Sequence, residues 1–268
     1  MMLVNGQISD SVSVLDRGLA YGDGVFRTLR CRAGRPLWWG DHYRKLAADC
    51  AALELSCPNE QLLRDEVEQV AAGQDCVAKL IVTRGAGARG YAPGKGPATR
   101  IVMASPLPAP AGLDSPGDVR VRLCALRFAA QPRLAGIKHL NRLENVLARA
   151  EWSDTAIFEG LVCEASGHLV SGTHSNLLWV QAGELHTHPL DTCGIAGVTR
   201  ERLLHQAQKL GVRVRFERQL PAGILSADEV LICNSLIGVR RVAQLDAHVL
   251  PESGWRSRLE ECLHEETD

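Results

Sequence analysis

GIKHLNRLENVLARAE, residues 136–151, decides how the rest of the chain is read. Leu140, Leu143, Leu147 and Ala150 recur at spacings of three and four. That period predicts a helix with one buried apolar face, and Asn141, Arg142 and Glu144 turned elsewhere. Lys138 lies just ahead of the periodic run, where a strand hands over to the helix. Helix starts favour anions over cations. Lys138 is therefore read in two ways, as a solvated surface charge or as an amine held inside a site.

Composition narrows the classes. The chain has 268 residues, 46% hydrophobic and 23% charged, with a formal net charge of -1. Those values fit a globular protein with an ample core. They leave no global basic field for nucleic acid, so a small-molecule substrate is expected. Nine cysteines are scattered without a CxxC pair. The odd number, and the apolar setting of several as in VLICN (230–234), point to reduced thiols and a cytoplasmic protein. MMLVNGQISDS at the start has no cationic lead and no apolar run of signal-peptide length. No stretch approaches the roughly 20 apolar residues of a membrane span, so no membrane association is expected.

Two hairpins open the chain, one turning on Asn5-Gly6 and one on Gly34 in GVFRTLRCRAGRPLWW. Helices follow over DHYRKLAADCAALEL, with Asp41 as cap, and NEQLLRDEVEQVAAG, with Asn59 as cap and Gly73 as stop. Strands KLIVTR and TRIVMAS flank a glycine-rich loop, Gly85–Pro97. PLPAPAGLDSPGD, residues 106–118, has four prolines and no periodicity, which marks a linker. Domains are therefore expected at 1–110 and 119–268, joined by 111–118. Beyond lie strand VRVRLCALR, the Lys138 helix, a pair of hairpins, a helix from Val198 to Leu210, strand VLICNS and a C-terminal helix. Strands and helices mix without strict alternation, so the expected class is α+β.

GAGARG, residues 85–90, matches GxGxxG, but Tyr-Ala-Pro-Gly follows and cannot open the helix a dinucleotide site needs. Gly94-Lys95 is not a phosphate-binding P-loop, because no Ser or Thr follows the lysine. A loop carrying Arg84, Arg89 and Tyr91 remains, either plain surface or an anion-binding lid. GIAGVTRERLL, residues 194–204, runs a glycine turn into a helix, whose first N–H groups would meet a phosphate. His186 and His188 have no third ligand near them in sequence, so no metal site is expected.

Several phrases in fixed order then carry a resemblance: LDRGLAYGDGVFRTL (15–29), DHYRKL (41–46), TRGAGARGYAP (83–93), KHLNRLE (138–144), SGTHSNLLWV (171–180) and GIAGVTRERLL. Together they resemble the class IV, or fold-type IV, family of pyridoxal-phosphate enzymes. RGxGxRGY and KHLNRLE resemble most closely its lyase branch, which releases pyruvate from aminodeoxychorismate to give 4-aminobenzoate for folate. The resemblance implies a homodimer of two-domain subunits, with a smaller N-terminal α/β domain, a larger C-terminal pseudo-barrel domain and pyridoxal phosphate in the cleft. It makes Lys138 the Schiff-base lysine and later the proton carrier. Such a lysine must be neutral to attack an aldehyde, and desolvation favours that form.

The resemblance also assigns the phosphate to Val198, Thr199 and Ser235, and gives Thr28 a role in protonating the leaving group. Three positions depart from the family pattern. Lys45 stands where an arginine usually pairs with the phosphate, and keeps the charge without the bidentate fork. Ser171 stands where a glutamate usually faces the ring nitrogen. A serine there leaves that nitrogen largely neutral, which suits an elimination better than a transamination. Arg27 replaces a common glutamate, and with Arg30, Arg89 and Tyr91 is expected to bind the substrate carboxylates. A D-amino-acid or branched-chain aminotransferase of the same fold is the alternative. A cofactor-free binding protein is a further one, since fold alone does not fix function.

Overall fold

The computed structural model describes residues 1–94, 96–108 and 117–264. These divide into two compact units, one of residues 1–108 with Ile137–Asn141, the other of 117–136 and 142–264. Residues 111–116 of the expected linker lie outside the described residues.

The first unit comprises β1 (Met2–Val4), β2 (Gln7–Ile8), α1 (Arg17–Tyr21), β3 (Gly24–Arg32), β4 (Arg35–Pro36), α2 (Trp39–Ala52), α3 (Glu60–Ala71), β5 (Cys76–Thr83) and β6 (Thr99–Ser105). Its strands form one antiparallel sheet in the order β2-β1-β6-β5-β3-β4. Both hairpins turn on paired positive φ angles, 51° and 83° at Asn5-Gly6, 46° and 77° at Ala33-Gly34. That geometry matches the strand twist, and Asn and Gly reach it at least cost. Asn59 caps α3 as expected, its Oδ1 accepting from the N–H groups of Gln61 at 2.9 Å and Leu62 at 3.2 Å. The cap of α2 differs, because the helix starts earlier: Trp38 is its N-cap, and Asp41 falls in the first turn.

Alternation along β3 sorts its side chains. Val25, Leu29 and Cys31 join Leu46, Cys50, Leu63 and Val67 in the core beneath α2 and α3. Each fully buried leucine there contributes about 2 kcal/mol. Phe26, Thr28 and Arg30 take the other face of the sheet. The free edge of β3 is completed by Ile137–Asn141. Phe26 N–H donates to the Lys138 carbonyl at 3.0 Å, Leu140 N–H donates to the Gly24 carbonyl at 2.9 Å, and Val25 bridges His139. Gly24 permits this close approach: a Cβ there would lie 2.6 Å from the Val82 carbonyl and 2.8 Å from Leu140 Cδ1.

The second unit contains β7 (Val119–Phe128), α4 (Leu143–Arg149), β8 (Glu159–Glu164), β9 (Leu169–Gly172), β10 (Asn176–Gln181), β11 (Glu184–Thr187), α5 (Val198–Lys209), β12 (Val214–Phe216), α6 (Pro221–Ile224), β13 (Glu229–Asn234), β14 (Gly238–Leu245), β15 (His248–Val249) and α7 (Trp255–His264). Its main path runs β12-β11-β10-β13-β14-β7-β8-β9, and β9 pairs back to β10. Six strands, β10, β13, β14, β7, β8 and β9, thus close on themselves around Leu161, Leu169, Leu177, Trp179 and Ile232. The class is α+β with a barrel-like second unit.

The helix after Lys138 is shorter than its period suggested. Leu140 is hydrogen-bonded to β3, so α4 begins only at Leu143. Its expected buried face is also corrected: Leu143 is 76% exposed and Val146 and Leu147 are each 60% exposed, while Ala148 is buried.

Candidate active site

Lys138 extends the edge of β3, and its half-buried side chain turns to the Phe26 face, with Nζ 4.6 Å from the ring centre. Thr28 and Arg30 follow on that face at intervals of one pleat. Lys79 of β5, opposite Thr28 in register, holds its Nζ 5.3 Å from the same ring. The structure therefore gathers Lys138 and Thr28, and adds Lys79. Lys79 carries no local signal in the sequence, because a lysine in a strand looks like an exposed charge.

Arg27 faces the other way. It is buried at 2% exposure in the core beneath α2, and its Nη2 donates to Asp49 Oδ2. Burial lowers its guanidinium to about 10, so it stays charged at neutral pH. Its Nε, equally buried, has no acceptor. The expectation that Arg27 binds a substrate carboxylate is thereby corrected, because the alternation of β3 points it away from Lys138 Nζ. Asp49, itself 1% exposed, also accepts the Lys138 backbone N–H on Oδ2 at 3.0 Å and Lys45 Nζ on Oδ1 at 2.5 Å.

The glycine-rich loop is tethered from below. Arg17 donates from Nη1 to the Gly90 carbonyl at 2.8 Å, from Nη2 to the Tyr91 carbonyl at 3.3 Å and from Nε to Asp23 at 2.9 Å. Tyr21 accepts the Gly90 N–H at 3.0 Å, and its ring meets Tyr91 at 5.5 Å. Arg84 is committed to Asp23 and to the carbonyls of Leu53 and Glu54. Arg89 and Tyr91 stand exposed on this held loop.

In the second unit, α5 opens at Gly197 with no side-chain cap, so its first N–H groups at Val198 and Thr199 face outward from the helix end. Thr199 Oγ1 lies 3.2 Å from Ser235 Oγ, placing two hydroxyls at that terminus. Asn176 fixes the approach, accepting the Gly197 N–H at 3.1 Å and donating to the Ile195 carbonyl at 2.7 Å. Asn234 shapes the Ser235 turn by accepting from the N–H groups of Leu236 and Ile237 at 2.8 and 2.9 Å. Unfilled donors, the positive helix end and two hydroxyls fit a phosphate dianion.

Ser171 sits buried on β9, paired in register with Asn176 and Val162, and donates to the Gly172 carbonyl at 2.9 Å. Two buried acids of β8, Glu159 and Glu164, are committed to other donors. Glu164 accepts from Ser166, Thr192 and Arg218 at 2.9, 2.8 and 3.1 Å. Glu159, fully buried, accepts from Thr173 N–H at 3.1 Å, Thr173 Oγ1 at 2.6 Å, His174 N–H at 3.1 Å and Ser175 Oγ at 2.8 Å. It holds the whole 172–176 loop, a role hidden in sequence because it crosses from another strand.

Residues 24–245 match the family model of the class IV aminotransferases. The chain belongs to that family. It is 33% identical to an aminodeoxychorismate lyase of Vibrio harveyi over 250 residues, covering 92% of each chain. It is 28% identical to a putative branched-chain-amino-acid aminotransferase of Methanocaldococcus jannaschii, covering 92% of this chain and 88% of the relative. The crystal structure of 4-amino-4-deoxychorismate lyase from Pseudomonas aeruginosa superposes with a TM-score of 0.91 at 43% identity, over 99% of both chains.

In this class IV chain, burial alone would raise the Glu159 carboxyl, but His174, Thr173 and Ser175 outweigh it and hold it below the ordinary range. A carboxylate depressed in the folded state stabilises above its unfolded value of about 4.3, and that stability is lost as pH falls through the folded value. Glu159→Gln is expected to lower stability at neutral pH and flatten the loss in acid. Denaturant titrations at several pH values check this, and parallel stability–pH curves for the two proteins would contradict it.

Proposed function

We propose that the chain is a pyridoxal-phosphate-dependent lyase that eliminates pyruvate from 4-amino-4-deoxychorismate, giving 4-aminobenzoate for folate biosynthesis. The observation that carries this reading is the Lys138 amine lying over Phe26, on the face that also bears Thr28. Its likeness to two lyases over nearly the whole chain supports the reaction class.

When bound, pyridoxal phosphate supplies the electron-withdrawing ring that acidifies the C–H beside the substrate amine. Lys138 would hold the aldehyde, and its free amine would take the proton from the amino-bearing carbon. The Thr28 hydroxyl would relay a proton to the departing oxygen as the C–O bond breaks, regaining it from the ammonium that Lys138 has become, and the released enol tautomerises to pyruvate. Val198 and Thr199 N–H groups, with the Thr199 and Ser235 hydroxyls, hold the phosphate, and Lys45 adds charge. Ser171 offers the ring nitrogen a hydrogen bond and no charge. Arg30, Arg89 and Tyr91 are the side chains proposed for the substrate carboxylates.

A homodimer is part of the proposal. The exposed Leu143, Val146 and Leu147 of α4 form an apolar face of the kind a partner subunit covers. The described cysteines are free thiols, which supports a cytoplasmic setting, and among the described residues no helix is long and apolar enough to cross a membrane.

Lys138→Ala should abolish the visible band of the bound cofactor and lower turnover by about a thousandfold or more. Borohydride fixation of the wild type should mark the peptide carrying residue 138, and a mark elsewhere would overturn the assignment. Ser171→Glu should raise amino transfer to 2-oxoglutarate relative to pyruvate release, and an unchanged ratio would count against the serine argument. Leu143→Asp with Leu147→Asp should halve the sedimenting mass, whereas an unaltered mass would exclude this face from the interface.

A further inference from the structure

We infer that Asp49 is a positioning residue for Lys138, holding the reactive lysine through its backbone while binding the neighbouring cations Arg27 and Lys45. The inference rests on reading Lys138 as the nucleophile. Asp49 lies in the last turns of α2, far in sequence from residue 138, yet its Oδ2 accepts the Lys138 N–H at 3.0 Å. The Lys138 carbonyl is held on the other side of the same residue by Phe26 N–H at 3.0 Å. Both backbone polar groups of the lysine are thus fixed to the first unit, which sets the Cα from which the side chain reaches the Phe26 face.

The rest of the carboxylate is satisfied by cations. Arg27 donates to Oδ2 and Lys45 to Oδ1, the latter at 2.5 Å. A neutral acceptor could hold the amide, but only a carboxylate also answers two buried or half-buried positive charges. Two of the positions that depart from the family pattern, Arg27 and Lys45, therefore converge on one atom group. Arg27 fills the buried side of Asp49 and keeps Oδ2 aimed at the amide, while Lys45 leans from the previous turn of the same helix. The geometry couples the place of the amine to the place of the cation proposed at the phosphate.

A purely structural ion pair would predict something different. Replacing both members of a buried pair by apolar groups of similar volume is often neutral for stability. The double variant Arg27→Met with Asp49→Leu is expected to fold yet leave the Lys138 amide without its acceptor. In the apo-protein, deuterium exchange at the Lys138 amide should then accelerate about tenfold or more, the scale of losing a hydrogen bond to a charged group. Capture of added pyridoxal phosphate should slow, and kcat should fall about tenfold or more while KM stays within a few-fold, the pattern for a displaced reactive group.

Asp49→Asn, which keeps the shape and one acceptor oxygen but loses the charge, should speed exchange of the amide by less than the double variant does, and serves as the second variant if the double one does not fold. In that event a single asparagine variant with faster amide exchange and a kcat loss at constant KM supports the inference. A folded variant without the carboxylate, showing wild-type exchange, capture and kcat, overturns it. Exchange at the Lys138 amide is read without cofactor, so it stands apart from the nucleophile assignment. If borohydride fixation fails to mark Lys138 in the wild type, the functional reading falls, and the exchange result still decides whether Asp49 holds that backbone.

Discussion

One carboxylate beneath the β-sheet of the first unit organises the lysine, its strand edge and two cations. Asp49 accepts the Lys138 N–H, Arg27 and Lys45, and is almost wholly buried. A buried charge is tolerable only when it is fully answered, and removing one partner of such a pair costs about 3–5 kcal/mol. Ile137–Asn141, which the chain presents between segments of the second unit, packs with the first because its backbone completes β3 and because this acid holds it there.

The second unit solves a similar problem in the same way. The loop 172–176 has several N–H and hydroxyl donors close together, and Glu159 accepts from four of them while bringing no side chain of its own to the surface. Gly172 is needed there because a Cβ would lie 2.3 Å from Ser175 Oγ and 2.5 Å from Glu159 Oε2. Asn176, at the end of that loop, then reaches Gly197 and fixes the start of α5. Buried acid, loop, asparagine and helix terminus form one chain of contacts, so the start of α5 depends on a residue that never faces it.

Much of this was legible in the sequence. The Asn5-Gly6 hairpin, the Asn59 cap and the apolar strands β5, β6, β10 and β13 follow from local turn chemistry and side-chain period. The strand β14 was not legible, because Arg240 and Arg241 interrupt its apolar pattern and are buried only through partners supplied elsewhere, such as Asp118 for Arg241. The apolar period of α4 misled, since period reports a face that will be covered and not what covers it. Among site residues, Lys138, Thr199 and Ser235 are marked by motif, whereas Asp49 and Glu159 act across long sequence separations that no local pattern encodes.

The three departures from the family pattern now separate into two kinds. Arg27 is committed to the buried side of Asp49 and has no open binding surface, whereas Lys45 shares that carboxylate from a half-buried place on α2. Ser171 is of another kind: among the described residues, Glu159 and Glu164 are each occupied by donors of their own. With Ser171 at the ring nitrogen, as proposed, no carboxylate there would keep that nitrogen protonated. A weaker electron sink disfavours storing charge in the ring while a proton migrates between carbons, but it suffices when a leaving group departs with the electrons. In this substrate the departing group also leaves an aromatic ring behind. Selectivity for elimination over transamination is the consequence expected of a serine, in place of an acid, at the position proposed for the ring nitrogen.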